Sequence, residues 1–126
     1  MIAALALLLV AAAGPQETFD SRRDVPTADG GWQYAAGVAR FAPYLSVRCD
    51  AASGRVQIVA PGFDSIDADT AIVPLPAGGW FAARDPRLDA IAFSRARFFL
   101  SGAAGRPAVA IPAQPEFARS IEDCRN

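Results

Sequence analysis

Residues 45–60 read LSVRCDAASGRVQIVA, and this stretch decides the fold class. Apolar and polar residues alternate in the period-two pattern of a strand with one buried face, and the alternation resumes after turn residues at 50–54. The inward positions are Leu45, Val47, Cys49, Val56 and Ile58. The stretch therefore predicts a β-hairpin that carries the Cys49 thiol on its buried face.

A helix is predicted at the C-terminal end of the chain, beginning at Pro115, because proline is favoured at the first helical position. Phe117, Ile121 and Cys124 are spaced at i, i+4 and i+7, so they share one face of that helix. Cys124 is thus expected to point at the core from a helix, as Cys49 does from a strand. The two thiols are therefore expected to lie close together in the core.

Cys49 and Cys124 are the only cysteines of the chain. An even number of cysteines in a small chain that is predicted to be exported indicates a disulfide. The bond would close a loop of about 75 residues. The alternative is two separate buried thiols. A zinc site is not an alternative, because two cysteines without histidine cannot complete one.

The remaining segments are interpreted from their turn residues and periodicity. Asp85 followed by Pro86 predicts the start of a short helix, since aspartate caps the first turn and proline fits its first position. Trp80 and Phe81 are expected to return the chain to the core, with an exposed aromatic loop as the alternative. The other predictions are a strand with a bulge at 32–41, a loop at 61–69, and strands at 70–74, at 95–100 and around Val109 and Ile111.

These elements predict an α+β fold in a chain of 126 residues, which has room for one domain. We expect a curled antiparallel β-sheet, of sandwich or barrel-like form, with one short helix and a disulfide-tethered C-terminal helix. The predicted domain is β-rich and spans 32–126.

The amino-terminal segment predicts export. Residues 2–10 are an unbroken apolar run, and Ala11-x-Ala13 matches a cleavage motif, so 1–13 is expected to be a signal peptide. The segment 14–31 is expected to be a flexible lead-in. The predicted location is the periplasm or the medium. An uncleaved anchor and a cytoplasmic protein remain alternatives, although about thirteen helical residues span only about 20 Å of a roughly 30 Å hydrocarbon core.

The composition excludes several chemistries. The chain has no histidine and no lysine, and its twelve basic residues are all arginine. Histidine-based nucleophile pairs, Walker A phosphate sites and Schiff bases are therefore excluded. Twelve basic and thirteen acidic residues nearly cancel, so we expect no nucleic-acid partner. No cofactor and no stable membrane anchor after cleavage are expected either.

Arg95, Arg97 and Phe99 form the candidate partner-binding site. If 95–100 is one strand, these three side chains share its outer face, while Phe98 and Leu100 point inward. Arginine presents a planar fork that suits carboxylates and phosphates, and an adjacent exposed aromatic suits recognition. The alternative is an ordinary solvated face.

Asp64, Asp67 and Asp69 form a weak candidate for a metal site. They cluster in the predicted loop, and hard cations such as calcium take several oxygen ligands from a short loop. The loop lacks the glycine and the later glutamate of the EF-hand pattern. A solvated acidic loop is the alternative, and our prediction is that no metal is bound.

The stretches 85–98 (DPRLDAIAFSRARF) and 122–125 (EDCR) resemble small uncharacterised exported proteins of alphaproteobacteria, which also carry a first-strand tryptophan, as Trp32 would be, and a strand cysteine like Cys49. More distantly, the layout is similar to the invasion-associated locus B family and to accessory periplasmic proteins of type VI secretion, in which a β-rich domain ends in a helix with a terminal cysteine. The resemblance implies a fold and a compartment, and it brings no catalytic residues.

The predicted function is that of an exported envelope protein, a non-enzymatic binding or accessory module for an envelope protein or a cell-wall component. One alternative is a carboxylate-based enzyme such as an atypical glycan hydrolase, which needs two carboxyl groups roughly 5 to 9.5 Å apart across a cleft. Another is a purely structural envelope protein.

Overall fold

The computed structural model describes residues 24–126. The predicted signal peptide at 1–13 and residues 14–23 of the predicted lead-in lie outside the described residues. Within the rest of the lead-in, Thr27 forms a parallel bridge with Ala110, and the Ala28 amide donates to the Ala110 carbonyl at 2.9 Å.

Residues 24–126 form nine strands and two α-helices, which confirms the predicted α+β class. The strands are β1 (Gln33–Ala35), β2 (Val38–Phe41), β3 (Leu45–Asp50), β4 (Arg55–Val59), β5 (Ser65–Asp67), β6 (Ile72–Pro74), β7 (Trp80–Ala82), β8 (Arg97–Ser101) and β9 (Val109–Pro112). The helices are α1 (Pro86–Ala92) and α2 (Pro115–Arg125), and a 3-10 turn at Ala77–Gly79 precedes β7.

All strand pairs are antiparallel, and they form two sheets. The five-stranded sheet has the order β1-β2-β3-β4-β7, and the four-stranded sheet has the order β6-β5-β8-β9. Their apolar inner faces meet in one core, which α1 and α2 complete. Among the buried side chains are Phe41, Val47, Ile58, Ile66, Phe81, Leu88, Ile91, Phe98, Ile111 and Phe117.

The predicted hairpin at 45–60 is confirmed. β3 and β4 pair in the register Val47↔Ile58 and Cys49↔Val56, so the apolar residues of both strands face the same side. Burial of this face against α2 and the four-stranded sheet supplies the hydrophobic free energy that stabilises the hairpin.

The C-terminal helix and its disulfide are also as predicted. Phe117 and Ile121 are buried on the inner face of α2. Phe117 makes edge-to-face contacts with Trp32 and Phe98, at ring-centroid distances of 6.2 and 5.8 Å. Cys124 is bonded to Cys49. The bond fixes the last turns of α2 to the end of β3.

The strand with a bulge predicted at 32–41 is instead a tight hairpin of β1 and β2. Ala35 pairs with Val38 across a two-residue turn. Ala36 and Gly37 have φ of 52° and 79°. Two consecutive positive φ angles are what the common two-residue hairpin turn requires, and they reverse the chain. Gly37 therefore marks a turn.

The loop predicted at 61–69 contains a strand. β5 lies between β6 and β8, and Ile66 is buried between Val73 and Leu100. Three residues are too few to show a period-two pattern, so Ile66 was the only indication of a strand here. The neighbouring strand β6 begins at Ile72, two residues later than predicted.

The short helix is confirmed as α1. The Asp85 side chain accepts a hydrogen bond from the Arg87 amide at 2.9 Å, so aspartate caps the helix as its position predicts. Leu88 and Ile91 are buried on its inner face. Among the described residues no helix is long and apolar enough to cross a membrane.

Candidate functional site

The end of α1 places one large apolar side chain in solvent. Ile91 faces the core, and Phe93 follows two residues later, about 200° around the helix. Phe93 is the C-cap residue, and its amide still donates to the Asp89 carbonyl at 2.9 Å. As a result its ring points away from the core and is 75% exposed.

Phe93 lies in an open groove of about 720 Å³ between α1 and the loop that joins β5 to β6. Its lining combines apolar and aromatic groups with charged or hydroxyl groups. The lining residues are Asp69, Thr70, Pro86, Asp89, Ala90, Phe93 and Arg95. Apolar and aromatic groups bordered by polar ones are the usual composition of a recognition surface.

Asp69 holds the loop side of the groove to the end of α1. Its Oδ2 accepts a hydrogen bond from the Arg95 amide at 2.5 Å. The Asp69 amide donates to the Ser94 hydroxyl at 3.4 Å, and that hydroxyl donates to the Ala90 carbonyl at 3.1 Å. Because these bonds join the loop to the helix, the two walls of the groove keep a fixed spacing.

Asp89 holds the helix side of the groove to α2. Its two carboxylate oxygens accept from the Arg125 guanidinium at 2.8 and 3.1 Å. This hydrogen bonding raises the pKa of Arg125. The Nε of Arg125 donates to the Ala83 carbonyl at 2.7 Å. The pair therefore joins α1, α2 and the chain before α1.

The Arg95 guanidinium lines the groove, and its positive charge is not paired with any acidic residue in the range 24–126. Its backbone is fixed by Asp69, whereas its side chain is exposed. The guanidinium forms no hydrogen bond or ion pair with any residue in the range 24–126. It is free to receive a carboxylate or another anion from a ligand.

Arg97 and Phe99 share one face of β8 as predicted, but Arg95 lies outside the strand and Phe99 is buried, which corrects the prediction of an exposed face of three residues. Ala96 has a φ of 62°, which interrupts extended backbone, so β8 begins only at Arg97. Arg95 is thus separated from the strand. Only Arg95, of these three, belongs to the groove.

Phe99 is 2% exposed. The Arg97 guanidinium lies 5.1 Å from its ring centroid. Arg97 also donates to the Val25 carbonyl and, at 3.3 Å, to the Thr27 hydroxyl. Arg97 and Phe99 therefore hold the segment before β1 against the four-stranded sheet.

The three candidate metal ligands are not brought together. Asp67 lies in β5, is 4% exposed and accepts from the Ser101 hydroxyl at 3.0 Å. The Asp69 carboxylate accepts a hydrogen bond from the Arg95 amide. Asp64 is exposed, and its backbone is hydrogen-bonded to neighbouring segments of the chain. Within 24–126 no group of three or more acidic or cysteine side chains could hold a metal ion.

Phe93 was not predicted from the sequence as a site residue. A signal was present, because a large aromatic residue falls on the polar side of the predicted amphipathic helix, two residues after the buried Ile91. A side chain on that side of the helix cannot reach the core against which the helix packs. Asp89 and Thr70 carried no comparable signal, since their arrival at the groove depends on how α1 and the β5–β6 loop pack.

Comparison with known proteins adds no further information: no protein-family model, no curated protein and no solved structure matches this chain.

Proposed function

We propose that this protein is an exported envelope protein that acts without catalysis and binds a partner protein through the Phe93 groove. The observation that carries the proposal is the 75% exposure of Phe93 beside the unneutralised guanidinium of Arg95. Export is supported by the disulfide, since such bonds persist in oxidising compartments. The predicted signal peptide points to the same compartment.

A protein partner fits this groove better than a small ligand does. The groove is open, and the Phe93 ring can contribute binding free energy only if another apolar surface covers it. Arginine and aromatic side chains are enriched where protein interfaces carry most of their binding energy. The matching surface presents an apolar side chain to Phe93 and a carboxylate to Arg95. An accessory role of this kind agrees with the resemblance described above.

The test is site-specific photo-crosslinking in the producing cell. A photoreactive phenylalanine analogue at position 93 should give a discrete adduct of defined mass. The matched control places the analogue at Ile72, which is 52% exposed on the edge strand β6. Arg95→Ala should weaken the adduct formed from position 93. Equal adducts at 72 and 93, or none at 93, would contradict the proposal.

Export is tested separately by fractionation and intact-mass measurement. The mature chain is expected to begin near Gly14 and to be found in the periplasm or the medium. Cys49 and Cys124 should resist alkylation under non-reducing, denaturing conditions, because they are bonded to each other. An intact Met1 terminus in the cytosol would contradict export.

A carboxylate-based enzyme is the second candidate, and one observation favours it: Asp69 and Asp89 line the same groove. Against it, both carboxylates already hold structural hydrogen bonds, Asp69 to a backbone amide and Asp89 to Arg125. Glycan turnover that is abolished by Asp69→Asn in a folded protein would establish the enzyme. A purely structural role is the outcome if neither adducts nor turnover are found.

A further inference from the structure

The outer face of the five-stranded sheet carries a second cluster, independent of the Phe93 groove. Arg48, Gln57 and Trp80 are register partners on β3, β4 and β7, so they form one row across three strands. Arg55 lies two residues before Gln57 on the same face of β4. Strand alternation sends the core residues between them to the opposite side. We call these four residues the arginine–tryptophan cluster.

The cluster is held in place by contacts of its own. The Arg48 and Arg55 guanidiniums lie 5.2 and 4.7 Å from the Trp80 ring centroid. The Arg48 Nε donates to Gln57 Oε1 at 2.9 Å, and Gln57 Nε2 donates to the Gly78 carbonyl at 2.9 Å. Two cations are therefore held close to one indole, on rigid strands, before any ligand arrives.

The turn before β7 sets the position of the indole. A Cβ on Gly79 would lie 2.0 Å from the Ile58 carbonyl oxygen, so only glycine lets this turn approach β4 so closely. Gly79 also has a φ of 76°, which glycine adopts at no steric cost. Trp80 is consequently placed over Gln57 rather than in the core, while the next residue, Phe81, is buried.

The charges of the two cations are only partly compensated. Neither guanidinium forms an ion pair within 24–126, where the ion pairs are Arg87–Asp85 and Arg125–Asp89. Asp50, the only acidic residue within the strands of this sheet, is the register partner of Arg55; its Oδ2 accepts from the Ser53 hydroxyl at 2.6 Å, and it is attracted electrostatically by Arg48. Two guanidiniums accompany this single carboxylate, so the cluster keeps a net positive charge and N–H donors that can bind an anion.

The geometry points to a binding site for the phosphate group of a soluble phosphate monoester at Arg48 and Arg55. A phosphate monoester carries close to two negative charges and three acceptor oxygens, so it can accept from two guanidiniums, whereas a carboxylate matches one. A membrane surface fits less well, because Val59 is the only large apolar side chain exposed on this sheet, and a single valine offers little apolar surface to insert among lipids.

The test is an NMR titration that follows the side-chain N–H signals of Arg48, Arg55 and Trp80. Glucose 6-phosphate and inorganic phosphate should each give saturable shifts of these signals, and glucose should give none. Arg48→Ala or Arg55→Ala should weaken binding by about tenfold, as expected for the loss of one charge-assisted pair. Arg106→Ala is the matched control, because Arg106 stacks singly on Phe63 at 4.4 Å and its loss changes the net charge equally.

Three further variants distinguish a specific site from misfolding or a general effect of charge. If an alanine variant fails to fold, Arg48→Lys and Arg55→Lys keep the charge but lose the planar fork, and they should still weaken binding. Trp80→Leu keeps both arginine charges but removes the indole ring that holds them, so this variant should also weaken phosphate binding. Equal weakening by Arg106→Ala would show general charge screening and overturn the site. Binding to anionic phosphatidylglycerol vesicles through the same arginines, without any response to glucose 6-phosphate, would also overturn it.

Discussion

Cys124, on the last turns of α2, is bonded to Cys49, near the end of β3, and their Cα atoms are 5.3 Å apart. The bond joins residues 75 positions apart. It therefore fixes the C-terminal helix to the centre of the five-stranded sheet, next to the β3–β4 turn. α2 contributes Phe117 and Ile121 to the core, so the position of these side chains depends on the position of the helix.

Removal of this bond is expected to destabilise the domain strongly. The double variant Cys49→Ala/Cys124→Ala should lower the free energy of unfolding by about 2–5 kcal/mol, because the unfolded chain regains the entropy that the closed loop removes. Urea denaturation measures this change. Reduced wild type should show nearly the same loss, and an unchanged midpoint in both proteins would contradict the prediction.

Arg97→Ala is expected to release the segment that precedes β1. The substitution removes the bonds to Val25 and Thr27 and uncovers Phe99, so it should cost about 1–2 kcal/mol. Hydrogen exchange should become faster at the Ala28 amide, which is bonded to a strand of the sheet. Arg95→Ala is the control, with an expected change below about 0.5 kcal/mol. Equal stability losses in the two variants would refute the distinction.

Asp85 is expected to make α1 sensitive to acid. Its hydrogen bond with the Arg87 side chain lowers the pKa of Asp85 below its ordinary value. Because the folded-state pKa lies below the unfolded value of about 3.9, this stabilisation is present above roughly pH 4 and is lost as the pH falls through the folded pKa.

Asp85→Asn should therefore be less stable than wild type at pH 7, and the difference should shrink towards pH 2. Asparagine keeps the cap, whereas Asp85→Ala also loses it and should cost about 1 kcal/mol more at both pH values. Urea midpoints at the two pH values give the comparison. A difference between wild type and Asp85→Asn that grows on acidification would show that the sign is wrong.

The elements that the sequence predicted well are those with local signals. The alternation around Cys49 indicates a strand, and Pro115 indicates the start of a helix. Each signal lies within a few residues of the element it predicts, so no information about distant contacts is needed. The hairpin at Ala36-Gly37 was misjudged because a single glycine is compatible with a bulge or with a turn, and alanine at positive φ gives no warning.

The candidate site was harder to predict because it depends on long-range packing. Period-two reasoning put Phe99 on a solvent face, although Phe98, Phe99 and Leu100 are consecutive and all buried. Such a run is typical of a strand covered on both sides, and β8 is a central strand of its sheet. The Phe93 groove arises from the contact of α1 with the β5–β6 loop, which no local pattern encodes.

Two phenylalanines five residues apart provide the clearest test of this placement. Phe98 is fully buried and stacks edge-to-face on Phe117 at 5.8 Å, so Phe98→Ala should cost about 3–5 kcal/mol through lost transfer energy and a cavity. Phe93 is 75% exposed, and Phe93→Ala should change the free energy of unfolding by less than about 0.5 kcal/mol. Both variants lose the same atoms, so the difference reports burial alone. If Phe93→Ala proved as destabilising as Phe98→Ala, the ring at 93 would be part of the core, and the groove that supports the proposed function would not exist.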